Sequence, residues 1–232
     1  AELYLEKHLA ADEFRTEGEA ETVSHDGTPS HVNSGSSIDR ALDYHAETPL
    51  VWGGRLAKHL GLSGKLTPQQ FSDILSNKNP LSGERLTART VEGRRLYFDA
   101  TISAPKSVSI MALTAGDTRL IEAHQRAVHF ALSELESQAQ TRVRVKGQNT
   151  VRKTGNFLYA SVMHTTSRAN DPQLHSHNII FNATFDPEEQ KYKALEAYEI
   201  YDKVKFYTEI YRNELAKEVK ALGYEIERAR HG

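Results

Sequence analysis

The chain has 232 residues, 38% of them hydrophobic and 26% charged, with a formal net charge of −2; that is enough to bury a real core as one domain, and too little positive charge for a protein that coats DNA non-specifically. There is no cysteine, which excludes disulfides, thiolate metal sites and cysteine nucleophiles and leaves histidine and carboxylate as the only ligands for a transition metal. No apolar run approaches the roughly 20 residues of a membrane span and no signal peptide is visible, so a cytoplasmic protein without membrane insertion is expected.

In chain order, residues 1–16 read as a short amphipathic helix carrying Leu3, Leu5, Leu9 and Phe14. Residues 17–40 are poor in apolar side chains, and a mobile loop is expected there. Trp52 to Leu62 reads as a short helix stopped at Gly61 or Gly64. Thr67-Pro68-Gln69-Gln70 is a helix start, with Thr as N-cap, Pro at the first helical position and Gln three residues after the cap; this helix should run to about Asn77. A basic loop over 78–95 precedes a strand over Leu96–Ser103, and Lys106–Leu113 has room for one or two helical turns. From Asp117, the residues Leu120, Ile121, Ala127, Val128, Ala131, Leu132 and Leu135 recur at helical spacing. Strands are expected over 142–148, 150–153, 157–166 and 174–185, the last two forming a hairpin around a polar loop. A long helix from about Leu195 to Leu222, capped by Gly223, closes the chain, and its aromatic residues Tyr198, Tyr201, Phe206, Tyr207 and Tyr211 read as a packing stripe. This order predicts an α/β (α+β) sandwich of two layers, a mainly antiparallel sheet flanked by helices.

Histidine is the unusual residue, with 11 copies. His175 and His177 alternate along one strand and so share a face. At this histidine content a chance His-x-His is expected about once in two such chains, and the pair alone fits two strand histidines making ordinary hydrogen bonds. His164 on the facing strand shifts the balance. A closed hairpin brings three imidazoles together and leaves the remaining positions of a bound ion open to water or substrate, which suits catalysis. Asp99, on another strand, is the kind of carboxylate that accepts a hydrogen bond from the far nitrogen of a metal-bound imidazole.

The run from His164 through TTSRANDPQL to His175-Ser176-His177 resembles the three-histidine motif of the relaxases of conjugative plasmids, within the histidine–hydrophobe–histidine endonuclease superfamily. The stretch Phe98–Ser109 (FDATISAPKSVS) resembles a second signature of that family, and Trp52–Gly64 (WGGRLAKHLGLSG) a third. The resemblance covers about residues 42–226 and is to the relaxase-helicase (MobF-type) group. It departs at Ser176, where the general motif has a hydrophobe and where the side chain should point away from the metal face.

The resemblance implies a palm of five antiparallel strands flanked by helices. It implies a site-specific single-strand endonuclease and transesterase that nicks a transfer origin and remains linked to the 5′ end through phosphotyrosine. It assigns His164, His175 and His177 to one divalent ion, Mg2+ or Mn2+, with Zn2+ a further occupant in crystals, and gives Asp99 the orienting role. Its nucleophile is a tyrosine near the N-terminus within clustered tyrosines, and here the pairs are degraded: Tyr4 is followed by Leu5, and Tyr44, eight residues before Trp52, by His45. Tyr4 is assigned as nucleophile and Tyr44 is the alternative. The implied partners are single-stranded DNA, an adjacent DNA hairpin at the transfer origin, accessory relaxosome proteins and a coupling protein, with the chain acting as a monomer. All of 1–232 then belongs to the relaxase domain, with the helicase part outside this sequence.

Residues 142–153 hold five basic side chains and no acid: Arg142, Arg144, Lys146, Arg152 and Lys153. Arg142, Arg144 and Lys146 should share one face as a stripe spaced for phosphates, or serve as an edge strand blunted by charge. Arg168 in the hairpin loop and Lys106 beside the Asp99 strand are further phosphate-binding candidates. Trp52 suits a core anchor better than a base-stacking platform. Two rivals stand beside the relaxase: a rolling-circle replication initiator of the same superfamily, and a non-catalytic, metal-stabilised DNA-binding module.

Overall fold

The structure, a computed structural model, describes residues 2–5, 14–15, 49–88, 90, 94–167, 169–196 and 204–228, with the backbone alone for 2–5, 14–15, 204 and 228. Its centre is an antiparallel sheet of five strands: β2 (Phe14–Arg15), β3 (Val51–Gly53), β4 (Tyr97–Ser103), β7 (Tyr159–Thr166) and β8 (Pro172–Phe181). Their spatial order is β2-β4-β8-β7-β3, so the long strands β4, β7 and β8 lie side by side and a two-residue strand closes one edge.

Helices pack on both faces because the strands are apolar on both. Tyr97, Leu158, Ala160, Val162, Ile179 and Phe181 face α1 (Arg55–His59) and α2 (Pro68–Leu75), with Leu56, Ala57, Phe71, Ile74 and Leu75 filling that layer. Phe98, Ala100, Tyr159, Leu174 and Ile180 face α3 (Lys106–Leu113), α4 (Arg119–Ser137) and α5 (Val204–Ala221). The helical spacing read from Leu120 to Leu135 is the buried stripe of α4. Thr67 caps α2 through its hydroxyl, which accepts from Gln70 N, while the Gln70 side chain accepts from Thr67 N. This local exchange satisfies two orphan donors of the first turn. Among the described residues no helix is long and apolar enough to cross a membrane.

Gly54 joins β3 to α1 at φ 95°, and a Cβ there would lie 2.3 Å from the Phe157 carbonyl oxygen, so only glycine fits. Glu136, buried at the end of α4, braces the same junction. Its Oε1 accepts hydrogen bonds from Arg55 N at 2.6 Å and from Phe157 N at 3.0 Å. Trp52 lies in strand β3 rather than in a helix, and packs on Phe181 as a core anchor, with ring centroids 5.5 Å apart.

Several expectations need correction. Residues 2–5 form a strand, β1 (Glu2–Leu5), parallel to β11 (Glu225–Arg228), and Phe14–Arg15 pairs with β4; neither piece is helical. A helix of that length is marginal alone, and pairing with a distant segment prevails. The stretch 174–185 divides into β8 and β9 (Thr184–Asp186), and β9 turns back into β10 (Lys191–Lys193). Leu195 and Glu196 are not helical, since Glu196 bridges Gln140. The ribbon β5 (Gln140–Val145) and β6 (Gln148–Lys153) is a separate two-stranded sheet. Lys146 belongs to its turn, at φ 49° beside Gly147 at φ 82°, and not to the strand face shared by Arg142 and Arg144. Two residues with positive φ are what a tight hairpin turn of matching twist demands.

Candidate metal centre

The face that carries Ile179 and Phe181 changes character toward the other end of β8. Successive residues with the same orientation are His177 and His175, and the partners facing them are Thr101 and Ser103 on β4 and Val162 and His164 on β7. His164 pairs directly with His175, so cross-strand register delivers the third imidazole. A register shift follows between His164 and Thr166, as at a β-bulge, where the extra twist turns the strand end away. The ligand nitrogens of His164, His175 and His177 all lie within 4.8 Å of one another. Ring centroids are 5.2 to 5.4 Å apart. The three side chains predicted to converge are on one face, with their ligand nitrogens close enough to share one ion.

Each histidine of β8 has its distal nitrogen held. His177 Nδ1 donates to Asp99 Oδ2 at 2.8 Å, since an ionised carboxylate only accepts. Thr101 Oγ1 lies 3.0 Å from the same nitrogen. His175 Nδ1 donates to the Gln173 carbonyl at 3.1 Å. Both rings thereby turn the lone pair of Nε2 outward, the tautomer a metal ligand requires. Burial lowers the pKa of His175 below the ordinary imidazole value, which keeps the ring in its unprotonated, ligating form. Oδ1 of Asp99 is buried without a hydrogen-bond partner among the described residues, which leaves negative charge beside the three rings. The donor set therefore fits a divalent ion: three neutral nitrogens, a carboxylate behind them and no thiolate. Asp99→Asn is expected to weaken Mn2+ binding about 10- to 100-fold, because the amide can present its NH2 to Nδ1 and favour the wrong tautomer. Isothermal titration with Mn2+ measures it, and an affinity within twofold of the parent would contradict the orienting role.

Two contributors lay outside the sequence reading. Thr101 was findable, since it stands two residues from Asp99 on one strand and must share its face. The Gln173 carbonyl carries no sequence signal at all. On the opposite face, Ser176 is buried and bonded to His124, whose ring is wholly enclosed. Burial lowers the His124 pKa to about 3, helped by the nearby His175 ring. The folded value lies below the unfolded one of about 6.5, so the unfolded chain takes the proton first. The stability conferred by this neutral ring is full above about pH 6.5 and is lost as pH falls toward 3, at about 1.4 kcal/mol per pH unit. Urea unfolding between pH 6 and 4 should steepen by close to one proton relative to His124→Gln; equal slopes would contradict it.

The remaining candidates are dispersed. Lys106 Nζ donates to the Pro172 carbonyl at 3.0 Å and so ties α3 to the start of β8, next to the histidines. Arg142 and Arg144 are exposed on β5, Arg142 paired with Glu196. Lys153 Nζ donates to Gln138 Oε1 at 3.2 Å. Arg152 is engaged by the fully buried Asp186 at 2.8 Å and by Glu188 and Glu189, so its guanidinium serves the β6–β9 packing rather than standing free for phosphate. Tyr4 lies on β1, its backbone opposite Glu227, and β1 runs beside α3; its side chain is outside the described residues. Tyr44, Arg168 and the 17–40 loop are outside them too.

Comparison with known proteins agrees with this geometry. The family model for the TrwC relaxase matches residues 1–232. The multifunctional conjugation protein TraI of Escherichia coli (strain K12) is 38% identical over 184 residues, covering 76% of this chain and 10% of the relative. The chain thus spans about a tenth of the length of the curated relatives it matches. A metal-bound structure of the conjugative relaxase TrwC with oriT DNA superposes with a TM-score of 0.76 at 35% identity, covering 83% of this chain and 69% of that one. TrwC complexed with a 27-mer DNA comprising the recognition hairpin and the cleavage site gives a TM-score of 0.75 at 37% identity, covering 83% and 68%.

Proposed function

Because the chain belongs to the TrwC relaxase family, we propose that it nicks one DNA strand at a transfer origin by metal-dependent transesterification. The observation that carries this is the convergence of His164, His175 and His177 on one sheet face with Asp99 behind them. These three side chains hold the ion, Mg2+ or Mn2+. When bound, it withdraws charge from the oxygens of the scissile phosphate.

The protein's own groups do the rest. Asp99 and the Gln173 carbonyl keep His177 and His175 in the ligating tautomer and fix their planes. Tyr4 is the nucleophile, with Tyr44 the alternative. Its phenolic oxygen gives up its proton to solvent and forms a bond to phosphorus, the bond from phosphorus to the 3′ oxygen breaks, and the leaving strand takes up a proton as its 3′ hydroxyl. The phosphotyrosine at the 5′ end conserves the diester for later rejoining. The exposed Arg142 and Arg144, with Lys146 and Lys153, follow the phosphates of an adjacent DNA hairpin. Lys106 lies near the cleavage end of the sheet. Relaxosome proteins and a coupling protein are the further partners of this role.

The test is incubation with Mn2+ or Mg2+ and single-stranded oligonucleotides bearing transfer-origin sequences, read as a covalent adduct on a denaturing gel. Loss of the adduct in Tyr4→Phe supports the assignment. Its persistence there, with loss in Tyr44→Phe, moves the nucleophile to Tyr44. Absence of adduct with every origin sequence favours a metal-stabilised binding module.

A further inference from the structure

Ser176 sits between the two histidines of β8 and points to the opposite face of the sheet, where it is 4% exposed. Its hydroxyl lies 2.9 Å from Nε2 of His124 on α4, and Nδ1 of that ring lies 2.7 Å from the Tyr211 hydroxyl on α5. All three side chains are buried among Phe98, Leu174, Ile180, Ala127 and Leu215. Desolvating three polar groups costs stability unless each is bonded, and hydrocarbon would fill the same space without that cost. What hydrogen bonds add is direction. A neutral imidazole has one donor and one acceptor, so the Ser176–His124–Tyr211 chain must run one way or the other, and in either case it holds each member in one rotamer.

Neighbouring even-numbered residues of β8 are tied as well, through backbone or side chain. The Pro172 carbonyl accepts from Lys106, Leu174 N donates to Ser109 Oγ at 3.0 Å, and Asn178 Nδ2 donates to the Ala100 carbonyl at 2.8 Å. Ser176 completes the row, directly behind the peptide units that carry His175 and His177. Rotation of β8 about its axis there would swing both rings away from His164.

We infer that His124 is a positioning residue: through Ser176 it sets the rotation of β8 that brings His175 and His177 onto one ion, and Tyr211 orients its ring. This rests on the reading that the three histidines hold that ion. It adds a support that runs from two helices, through the sheet, to the site on its far face.

The experiment titrates Mn2+ into purified parent, Ser176→Ala, Ser176→Thr, Tyr211→Phe and His175→Ala proteins by calorimetry, well below each metal-free melting midpoint, which is measured separately. Ser176→Ala is expected to raise the Mn2+ Kd about fivefold, below the 10- to 100-fold usual for groups bonded directly to a ligand. Ser176→Thr keeps the hydroxyl and should restore affinity to within about twofold, and Tyr211→Phe should raise the Kd about threefold. A purely structural network would lower the melting midpoints and leave the Kd alone, and unchanged Kd values in folded Ser176→Ala and Tyr211→Phe overturn the inference. If Ser176→Ala does not fold, Tyr211→Phe decides, since it removes one oxygen at the far end. Should His175→Ala bind Mn2+ as the parent does, the metal reading itself fails; strong loss there with no effect at Ser176 refutes the positioning role alone.

Discussion

His164→Ala, His175→Ala and His177→Ala are each expected to reduce metal-dependent strand cutting by about 10^3-fold or more, the equivalent of the several kcal/mol a metal contributes to the stabilisation of developing charge. The set has no spare member: among the described residues these three are the only His or carboxylate group whose ligand atoms cluster for a metal. Two imidazoles without the third leave an ion mostly to water. The three variants should nevertheless differ. His177→Ala strands Asp99, whose Oδ2 loses its donor while Oδ1 has no partner among the described residues, so this variant also loses stability. His164 has a direct strand partner in His175, and its removal should leave the sheet intact. Adduct formation and Mn2+ titration measured on the same samples test this. A His164→Ala protein that binds Mn2+ like its parent would place the ion elsewhere.

Glu136→Leu should destabilise the protein by about 4 kcal/mol, because two backbone donors, the part-buried Arg55 N and the buried Phe157 N, lose their shared acceptor at about 1–3 kcal/mol each. For a chain of this size that lowers the melting temperature by about 8–16 °C. Glu136→Gln keeps one carbonyl oxygen in place and should cost only about 1 kcal/mol. Burial raises the Glu136 pKa, opposed by those two hydrogen bonds, so the value of the side chain is as an acceptor rather than as an ion-pair partner. The Arg55 Nε–Glu136 Oε2 separation of 3.8 Å agrees with that ranking. Melting curves of the two variants decide it; equal losses would mean that charge, not acceptance, holds the α1 junction. The effect reaches the site because α1 and α2 cover the same sheet face that carries the histidines further along.

Legibility followed the range of the interaction. The capping box at Thr67 and Gln70 and the apolar stripe of α4 were readable because both partners lie within a turn or two of each other. The expected helix over 1–16 and the missed strand β11 share one cause: β1 and β11 pair across more than 200 residues, and no local pattern encodes that. Lys146 was misplaced by one residue of turn chemistry, since Gly147 marks the hairpin turn that takes it off the strand. Arg152 counted as surface charge until Asp186, 34 residues away, appeared beneath it.

That His175 and His177 share a side follows from the two-residue period of any extended strand, and that no thiolate competes with them follows from composition. Those properties are local, and they pointed to the chemistry before any folding. Which residue of β7 stands opposite His175, whether Asp99 reaches Nδ1 of His177, and what supports Ser176 from behind depend on register among β4, β7 and β8 and on the helices beneath. Register is set by long-range burial of Phe98, Ile179, Ile180 and Phe181 on their respective faces, where a slip of one residue would turn every side chain of the strand to the wrong side.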